Sequence, residues 1–411
     1  MSTEPTFNIL VLNCGSSSFK FALIDISTGD EQINGLAEKL GQSDAVITIK
    51  YNNEKKSTLL GNDNKHKDAI KVLVEELQQR QLSASVKAIG HRVVHGGEAF
   101  TASVLIDDEV MAAINEVSSL APLHNPANVV GIHAARDAFP ELPQIAVFDT
   151  AFHQSMPAKA FMYAIDSDLY KTNRIRRYGF HGTSHYYVLT QTAQRLNKSL
   201  DTTSVITAHL GNGCSVTAIE NGQSVDTSMG MTPLEGLVMG TRSGDIDPGV
   251  IIHLMNHLQY SAKDIDQLLN KQSGLLGLSQ TSNDCRKLEE MIVNQDNEFS
   301  TEQQQSATLA LEVFCYRVAK YIGAYSAALS HLDALVFTGG IGENSSYIRG
   351  NIVRQLSILG FQIDSDKNIA TRFGASGEIQ NEQARAPIYV IPTNEEWVIA
   401  TDAAKIAKGD I

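Results

Sequence analysis

From Asn8 to Asp25 the chain reads NILVLNCGSSSFKFALID: an apolar run, a Gly-Ser turn, then Phe19, Phe21 and Leu23 alternating with Lys20, Ala22 and Ile24 before an acidic stop. That pattern predicts strand, tight turn, strand. It returns from Ser204 to Glu220, SVITAHLGNGCSVTAIE, where a β-branched run enters a Gly-rich turn and a second strand leaves it. One hairpin used twice, about half a chain apart, predicts two duplicated domains with a cleft between them. Helical spacing of Ile70, Leu73, Val74 and Leu77 predicts a helix that stops before the polar QQRQ. A longer helix is predicted from about Thr301 to Leu332, with Leu309, Val313, Phe314, Val318 and Ile322 on related faces. Asn52 to Asp68 is polar without periodicity and predicts a surface excursion. Thr393-Asn394-Glu395-Glu396 reads as the cap of a last helix through Ile399 and Ala403. Strands alternating with helices give an α/β class, and the duplication puts the domain boundary between Asp149 and Met156.

Composition narrows the partners. With 411 residues, 43% hydrophobic and 19% charged, the chain has the balance of a soluble globular protein. Its net charge of −13 argues against a nucleic-acid surface or an anionic membrane as partner. No apolar stretch approaches the ~20 residues of a membrane helix, and the opening MSTEPTFN lacks the basic and apolar regions of a secretory leader. Cys14, Cys214, Cys285 and Cys315 form no CxxC pair. Reduced thiols in a cytoplasmic protein are expected.

An acidic chain binds anions only through local clusters of basic side chains and backbone N–H groups, so glycines beside basic residues mark the candidates. Three Gly-rich turns follow predicted strands: Asn13-Cys14-Gly15-Ser16-Ser17-Ser18, Gly211-Asn212-Gly213, and Thr338-Gly339-Gly340-Ile341-Gly342-Glu343-Asn344. Glycine lets the backbone approach a ligand and turn its N–H groups toward phosphate. Any one of these could equally be an ordinary hairpin end, and none is a GxxxxGK[ST] loop. Arg92 in AIGHRVVHGG and Arg242 in MGTRSGDIDPG lie in apolar surroundings. Each is either half of a structural ion pair or a fork for a carboxylate or phosphate. His91/His95 and His181/His185 have i, i+4 spacing but lack the Glu of HExxH, so structural histidines are the better reading than zinc. His124 and His209 stand beside turns, where each is either a satisfied structural histidine or a cation or hydrogen-bond donor that meets an anion. Asp149 ends QIAVFDT and Glu395 follows VIPTN. Both are strand-end carboxylates of the kind that meet ligands, or a Mg2+ ion, at the edge of an open sheet.

Taken in order, NCGSSSFK, HRVVHGG, PLHNP, FDTAFH, RRYGFHGTSH, HLGNG, TPLEGLVMGTRSGDIDP, FTGGIGEN and PTNEE resemble the acetate kinase family, within the acetate and sugar kinase/Hsp70/actin superfamily, over nearly the whole chain. The resemblance implies two actin-like (ribonuclease H-like) domains, each a five-stranded mixed sheet flanked by helices, with the nucleotide in the cleft. The first domain would take residues 1–150 and 394–411. The second, 151–393, would carry nucleotide binding and the homodimer contact. The implied reaction is reversible, Mg2+-dependent (Mn2+ a possible substitute), in-line phosphoryl transfer from ATP to acetate, giving acetyl phosphate and ADP. By the same resemblance Asp149 lies near the attacking carboxylate, Arg92 and Arg242 bind substrate carboxylate and phosphoryl oxygens, and His181 stabilises the equatorial oxygens. Val94, Leu123, His124, Phe180 and Pro233 would face the acid. Asn13 and Glu395 match the Mg2+ site. Lys20 and His209, Leu210, Gly211, Asn212 and Gly213 match the phosphate side, with Asp284, Cys285, Arg286 and Gly340, Ile341, Gly342, Glu343 and Asn344 on the adenosine side. Cys285 stands where the family often has an aromatic residue.

Phosphoryl transfer spreads charge over three equatorial oxygens, so catalysis is mostly positioning and electrostatics. A carboxylate nucleophile is already ionised at neutral pH. Asp149 is therefore read as an orienting or Mg2+-water-binding group, not a proton acceptor. Branched Val94 favours acetate, with propionate slower but not excluded, because one methylene is worth only ~1–3 kcal/mol. Two rivals remain: a propionate or butyrate kinase of the same fold, and an actin-like or Hsp70-like ATPase indifferent to acetate.

Overall fold

The computed structural model describes residues 7–61, 65–122, 124–293 and 299–410. The chain divides into two compact units, Met1–Gln154 with Asn394–Ile411, and Ser155–Thr393.

Unit 1 is built on eight strands: β1 (Asn8–Cys14), β2 (Ser18–Asp25), β3 (Glu31–Glu38), β4 (Val46–Tyr51), β5 (Glu54–Leu59), β6 (Val86–Val93), β7 (Val104–Leu105) and β8 (Gln144–Phe148), in the order β5-β4-β3-β2-β1-β6-β8-β7. Strand β1 is central, antiparallel to β2 and parallel to β6. Its alternation divides the core as a period of two requires. Leu10, Leu12 and Cys14 pack with Ile70, Leu73 and Leu77 of the helix His66–Gln79 on one face. Ile9 and Val11 meet Ile399, Ala400 and Ala403 of the helix Glu395–Lys408 on the other. Gly90 makes that second contact possible, since a Cβ there would stand 2.6 Å from Ile399 Cγ2.

Unit 2 repeats the plan with β9 (Val205–Leu210), β10 (Cys214–Glu220), β11 (Gln223–Thr227), β12 (Ala334–Thr338), β13 (Gly377–Glu378) and β14 (Ile388–Val390), ordered β11-β10-β9-β12-β14-β13. Runs β3-β2-β1-β6-β8 and β11-β10-β9-β12-β14 share one pattern, two antiparallel pairings followed by two parallel ones. This is the duplicated mixed-sheet architecture implied by the resemblance. Among the described residues the sheets hold eight and six strands, not five each, because β4, β5 and β7 extend the first and β13 the second.

Three local expectations need correction. Asn52–Asp68 is not a plain excursion: Asn52 and Asn53, at φ 48° and 64°, turn β4 into β5, and the next helix begins at His66. Two successive residues in that region make the primed turn that suits a hairpin. The hairpin was invisible to periodicity because β5 is an edge strand with exposed residues on both faces. Thr338–Asn344 is not an open turn, since Gly339–Asn344 is a short helix set directly on β12. The long helix ends at Ser326, where Ser330 N–H goes to Glu220 at 2.8 Å and takes the chain off its axis. Leu309 on that helix is 53% exposed.

His91 illustrates the cost of a titratable group inside the sheet. It is 2% exposed, its Nε2 lies 2.7 Å from Gln144 Oε1, and burial, with Arg136 adding, lowers its pKa to about 4 against the opposing Gln144 bond. The unfolded chain takes up this proton near pH 6.5 and the folded chain does not, so the associated stability is complete above pH 6.5 and lost as pH falls through about 4. In urea titrations, His91→Gln should therefore lose about 1–3 kcal/mol less than wild type between pH 7 and 4.

Candidate active site

The C-terminal edge of the unit-1 sheet gathers the first group. Asn13 sits at the end of β1, Arg92 near the end of β6, and Asp149 just past β8. Asp149 is 1% exposed, and its carboxylate accepts from Arg92 Nε at 3.0 and 3.1 Å and from Nη2 at 2.5 Å. Burial works against the Arg92 charge, but Asp149 and then Glu395 outweigh it and raise its pKa. Thus Arg92 is held by a carboxylate along one edge of its fork. Lys20, cross-strand neighbour of Asn13, pairs with Glu396 in the first turn of the last helix. Asn394 caps that helix by accepting from Trp397 N at 2.9 Å, so capping is done by Asn394 and Glu395 is left for something else. Glu395 Oε1 is buried with no hydrogen-bond partner among the described residues, and burial pushes the carboxyl up to about 7, Arg92 pulling it down and Asp149 pushing it further up.

An orphaned buried carboxylate oxygen is a donor that fits a hard divalent cation. No group of three or more His, Cys, Asp or Glu able to hold a metal occurs among the described residues. A cation here would rest on one or two protein oxygens, the habit of Mg2+. Val94 is 8% exposed. His124 precedes the helix Asn125–Ala138, and Leu123 lies outside the described residues.

Unit 2 gathers the second group around the β9–β10 turn. Leu210 pairs with Cys214, leaving Gly211, Asn212 and Gly213 as the turn, closed by Gly211 N–H to Gly213 O at 3.1 Å. His181, at φ 57°, opens the helix Gly182–Leu196 with no side-chain cap. Such a backbone costs of order 1–3 kcal/mol and persists only where its surroundings fix it. Here Ser215 Oγ lies 3.0 Å from His181 Nδ1 and 2.7 Å from His185 Nε2, and the His209 ring stacks on His181 at 4.2 Å. The i, i+4 histidines are joined by a serine. With Nδ1 so engaged, Nε2 is turned to Gly213: a Cβ there would lie 3.4 Å from His181 Nε2 and 3.5 Å from Arg242 Nη1. The missing side chain leaves room where both groups converge.

Unlike Arg92, Arg242 has no carboxylate partner among the described residues. Its Nη1 reaches Pro233 O at 3.4 Å and Met239 Sδ at 3.9 Å, and burial lowers its pKa. A desolvated guanidinium without a counter-charge is a receptor for an anion.

The remaining positions are less uniform. Asn212 is tied to Gly240 and Asn283. Leu210 is fully buried, so only its backbone could meet a ligand, and Phe180 is 2% exposed. Asp284 and Arg286 pair at 2.7 Å on the surface, and Arg286 holds the Asp284 carboxyl below its ordinary value. Cys285 between them turns inward to Glu289 Oε1 at 3.3 Å. Glu343 is spent on backbone donors, accepting from Gly339 N at 2.9 Å within its own segment and from Thr393 N at 3.1 Å. Gly339, at φ 75°, has no room for a Cβ, which would stand 2.7 Å from Leu210 O. Gly340 faces open space.

Sequence reading missed the residues that hold this group in place. Arg177 donates through Nη1 to the carbonyls of Thr227, Ser228 and Met229 and through Nη2 to Glu235 at 2.6 Å, while Tyr163 bonds Glu235 from the other side. Arg349, fully buried, gives its donors to Gly342 O, Glu343 O, Thr371 O and both oxygens of Asn368. The available signal was charge inside apolar or Gly-rich sequence, which had singled out Arg92 and Arg242.

Gly213→Ala should fold, since φ there is not left-handed and its contacts are ordinary. Its melting temperature should stay near wild type while turnover falls roughly a hundredfold or more. Wild-type turnover in a folded variant would show that the space is not used.

The family model described as the acetokinase family matches residues 8–401. The chain is 56% identical over 400 residues to an acetate kinase of Shewanella sp. (strain MR-4), covering 97% of this chain and 98% of the relative. Among solved structures it is similar to a propionate kinase from Francisella tularensis (TM-score 0.90, 46% identity, 96% and 98% of the two chains). It is also similar to the acetate kinase of Porphyromonas gingivalis (TM-score 0.90, 42% identity, 97% and 99%).

Proposed function

The chain belongs to the acetokinase family, and from that premise we propose that it transfers the terminal phosphoryl group of ATP to acetate, reversibly and in line, giving acetyl phosphate and ADP. The observation that carries the reading is the convergence of His181 Nε2 and the unneutralised Arg242 on the space above Gly213. Donors so fixed suit charge that develops on equatorial phosphoryl oxygens.

Arg92, its fork oriented by Asp149, and Arg242 bind the acid's carboxylate and the phosphoryl oxygens. Asp149 does not need to take a proton, because the nucleophile is already an anion. Val94, His124, Phe180 and Pro233 face the acid. Lys20 and the Gly211–Gly213 turn take the nucleotide phosphates, with Asp284, Arg286 and Gly340 on the adenosine side. Asn13 and Glu395 would hold the divalent cation. Mg2+ bound there supplies positive charge against phosphate oxygens, and Mn2+, equally an oxygen-seeking ion, suits the same donors.

The Francisella relative is a propionate kinase, which makes propionate the second acid to test. The deciding experiment is ADP release from Mg·ATP with acetate, propionate, butyrate or no acid, trapping acyl phosphate as hydroxamate. Acetate-dependent turnover with trapped product, and propionate slower, is expected. Acid-independent ADP release without trapped product would promote an ATPase. Arg242→Ala should lower kcat/KM by about 3 kcal/mol or more, and Arg242→Lys should rescue little, because the planar fork is lost.

A homodimer is part of this proposal. No residue of the helix Pro248–Leu258 is buried, although Val250, Ile252, Met255 and Leu258 are 40–59% exposed apolar side chains. An apolar face of that kind suits a second copy of the chain. Ile252→Glu should shift sedimentation toward the monomer; unchanged sedimentation would move the contact elsewhere. No helix among the described residues is long and apolar enough to cross a membrane. Four buried free thiols suit a reducing, cytoplasmic setting.

A further inference from the structure

Strands β1 and β6 stay paired as far as Leu12 opposite His91 and then part, while β6 and β8 stay paired to Val93 opposite Phe148. Beyond these points the carbonyl of Cys14 and the N–H groups of Val94 and His95 must find partners outside the sheet. They find them on one helix, Asn125–Ala138. Asn128, 2% exposed, accepts from Val94 N–H through Oδ1 at 3.1 Å and donates through Nδ2 to Cys14 O at 2.8 Å. Asn125, fully buried and three residues earlier on the same face, accepts from His95 N–H at 3.1 Å and donates to His95 O at 2.9 Å. The helix cannot slide away from these contacts. Gly131 lies so close to Cys14 that a Cβ there would be 2.1 Å from its Sγ.

The carboxamide of Asn128 thus does between the diverging strands what a peptide group does between paired ones. It is planar and rigid, with one donor and one acceptor engaged on opposite sides. One side is the β1 end that presents Asn13, and the other is the β6 end that presents Arg92 and Val94. We propose that Asn128 is a positioning residue, a spacer that fixes the Val94 wall and the Arg92 fork relative to the end of β1 and so sets selectivity for the length of the acid. The inference rests on the carboxylate-kinase reading. Aspartate at this position keeps the shape, loses the donor and sets an anion against the Cys14 carbonyl. Serine is too short to span the gap.

Asn128→Asp and Asn128→Ser are compared with wild type and with Val130→Ala, a change at a 51%-exposed position of the same helix. Hydroxamate trapping gives kcat/KM for acetate and propionate, calorimetry gives ADP affinity, and a melting curve reports folding. The expected result is a roughly ten- to hundredfold loss of kcat/KM with acetate. The acetate-to-propionate ratio should shrink about threefold or more, with ADP affinity unchanged and Val130→Ala like wild type. A purely structural role would not move that ratio. Folded variants that keep the wild-type ratio would overturn the proposal. Loss of folding in both would also overturn it, by assigning Asn128 to stability alone. Wild type that turns over neither acid would already overturn the kinase reading, and this inference with it, before any substitution is made.

Discussion

The arrangement of unit 1 depends on one buried ion pair. Asp149 is removed from water at the end of β8, where an unpaired carboxylate would cost several kcal/mol. Arg92, one strand away, cancels that cost through Nε and Nη2. The pairing fixes the orientation of a planar group that would otherwise have several rotamers. It also ties β6 to the end of β8 where the ladder closes, beside the backbone bond from Asp149 N–H to Val93 O at 3.0 Å. Glu395, Glu396 and Lys20 are arranged around that pair, and Asn128 spaces the neighbouring strand from it.

The duplicated unit solves a different problem. Arg242 carries no counter-charge among the described residues, His181 is held in a left-handed backbone, and Gly213 lacks the side chain that would fill the space between them. Those features are costly to a protein at rest and become favourable when an anion arrives. One arginine is neutralised and oriented, the other is left hungry. The division suits a reaction that must bind an ionised nucleophile and also stabilise charge on a migrating phosphoryl group.

Much of this was legible in the sequence because it is local. The β1–β2 and β9–β10 hairpins announce themselves by alternation and glycine, and the last helix by Asn394. The strand-end carboxylates follow from where apolar runs stop. The β4–β5 hairpin was not legible, since an edge strand exposed on both faces has no period to detect. Nor were the partners of Arg177, Arg349 and Asn128, whose hydrogen bonds join residues distant in sequence and obey no spacing rule. Glu343 shows the limit of motif reading: the glycines around it were recognised, but its carboxylate is used to hold Gly339 and Thr393.

The measurement that bears most directly on this account is the pH dependence of kcat/KM for Asp149→Asn beside wild type. If Asp149 orients Arg92 and the acid attacks as a ready-made anion, the variant will be slower at every pH and its profile will keep the wild-type shape. Loss of an acidic limb that wild type shows would make Asp149 a general base, and the electrostatic account of the site would be wrong.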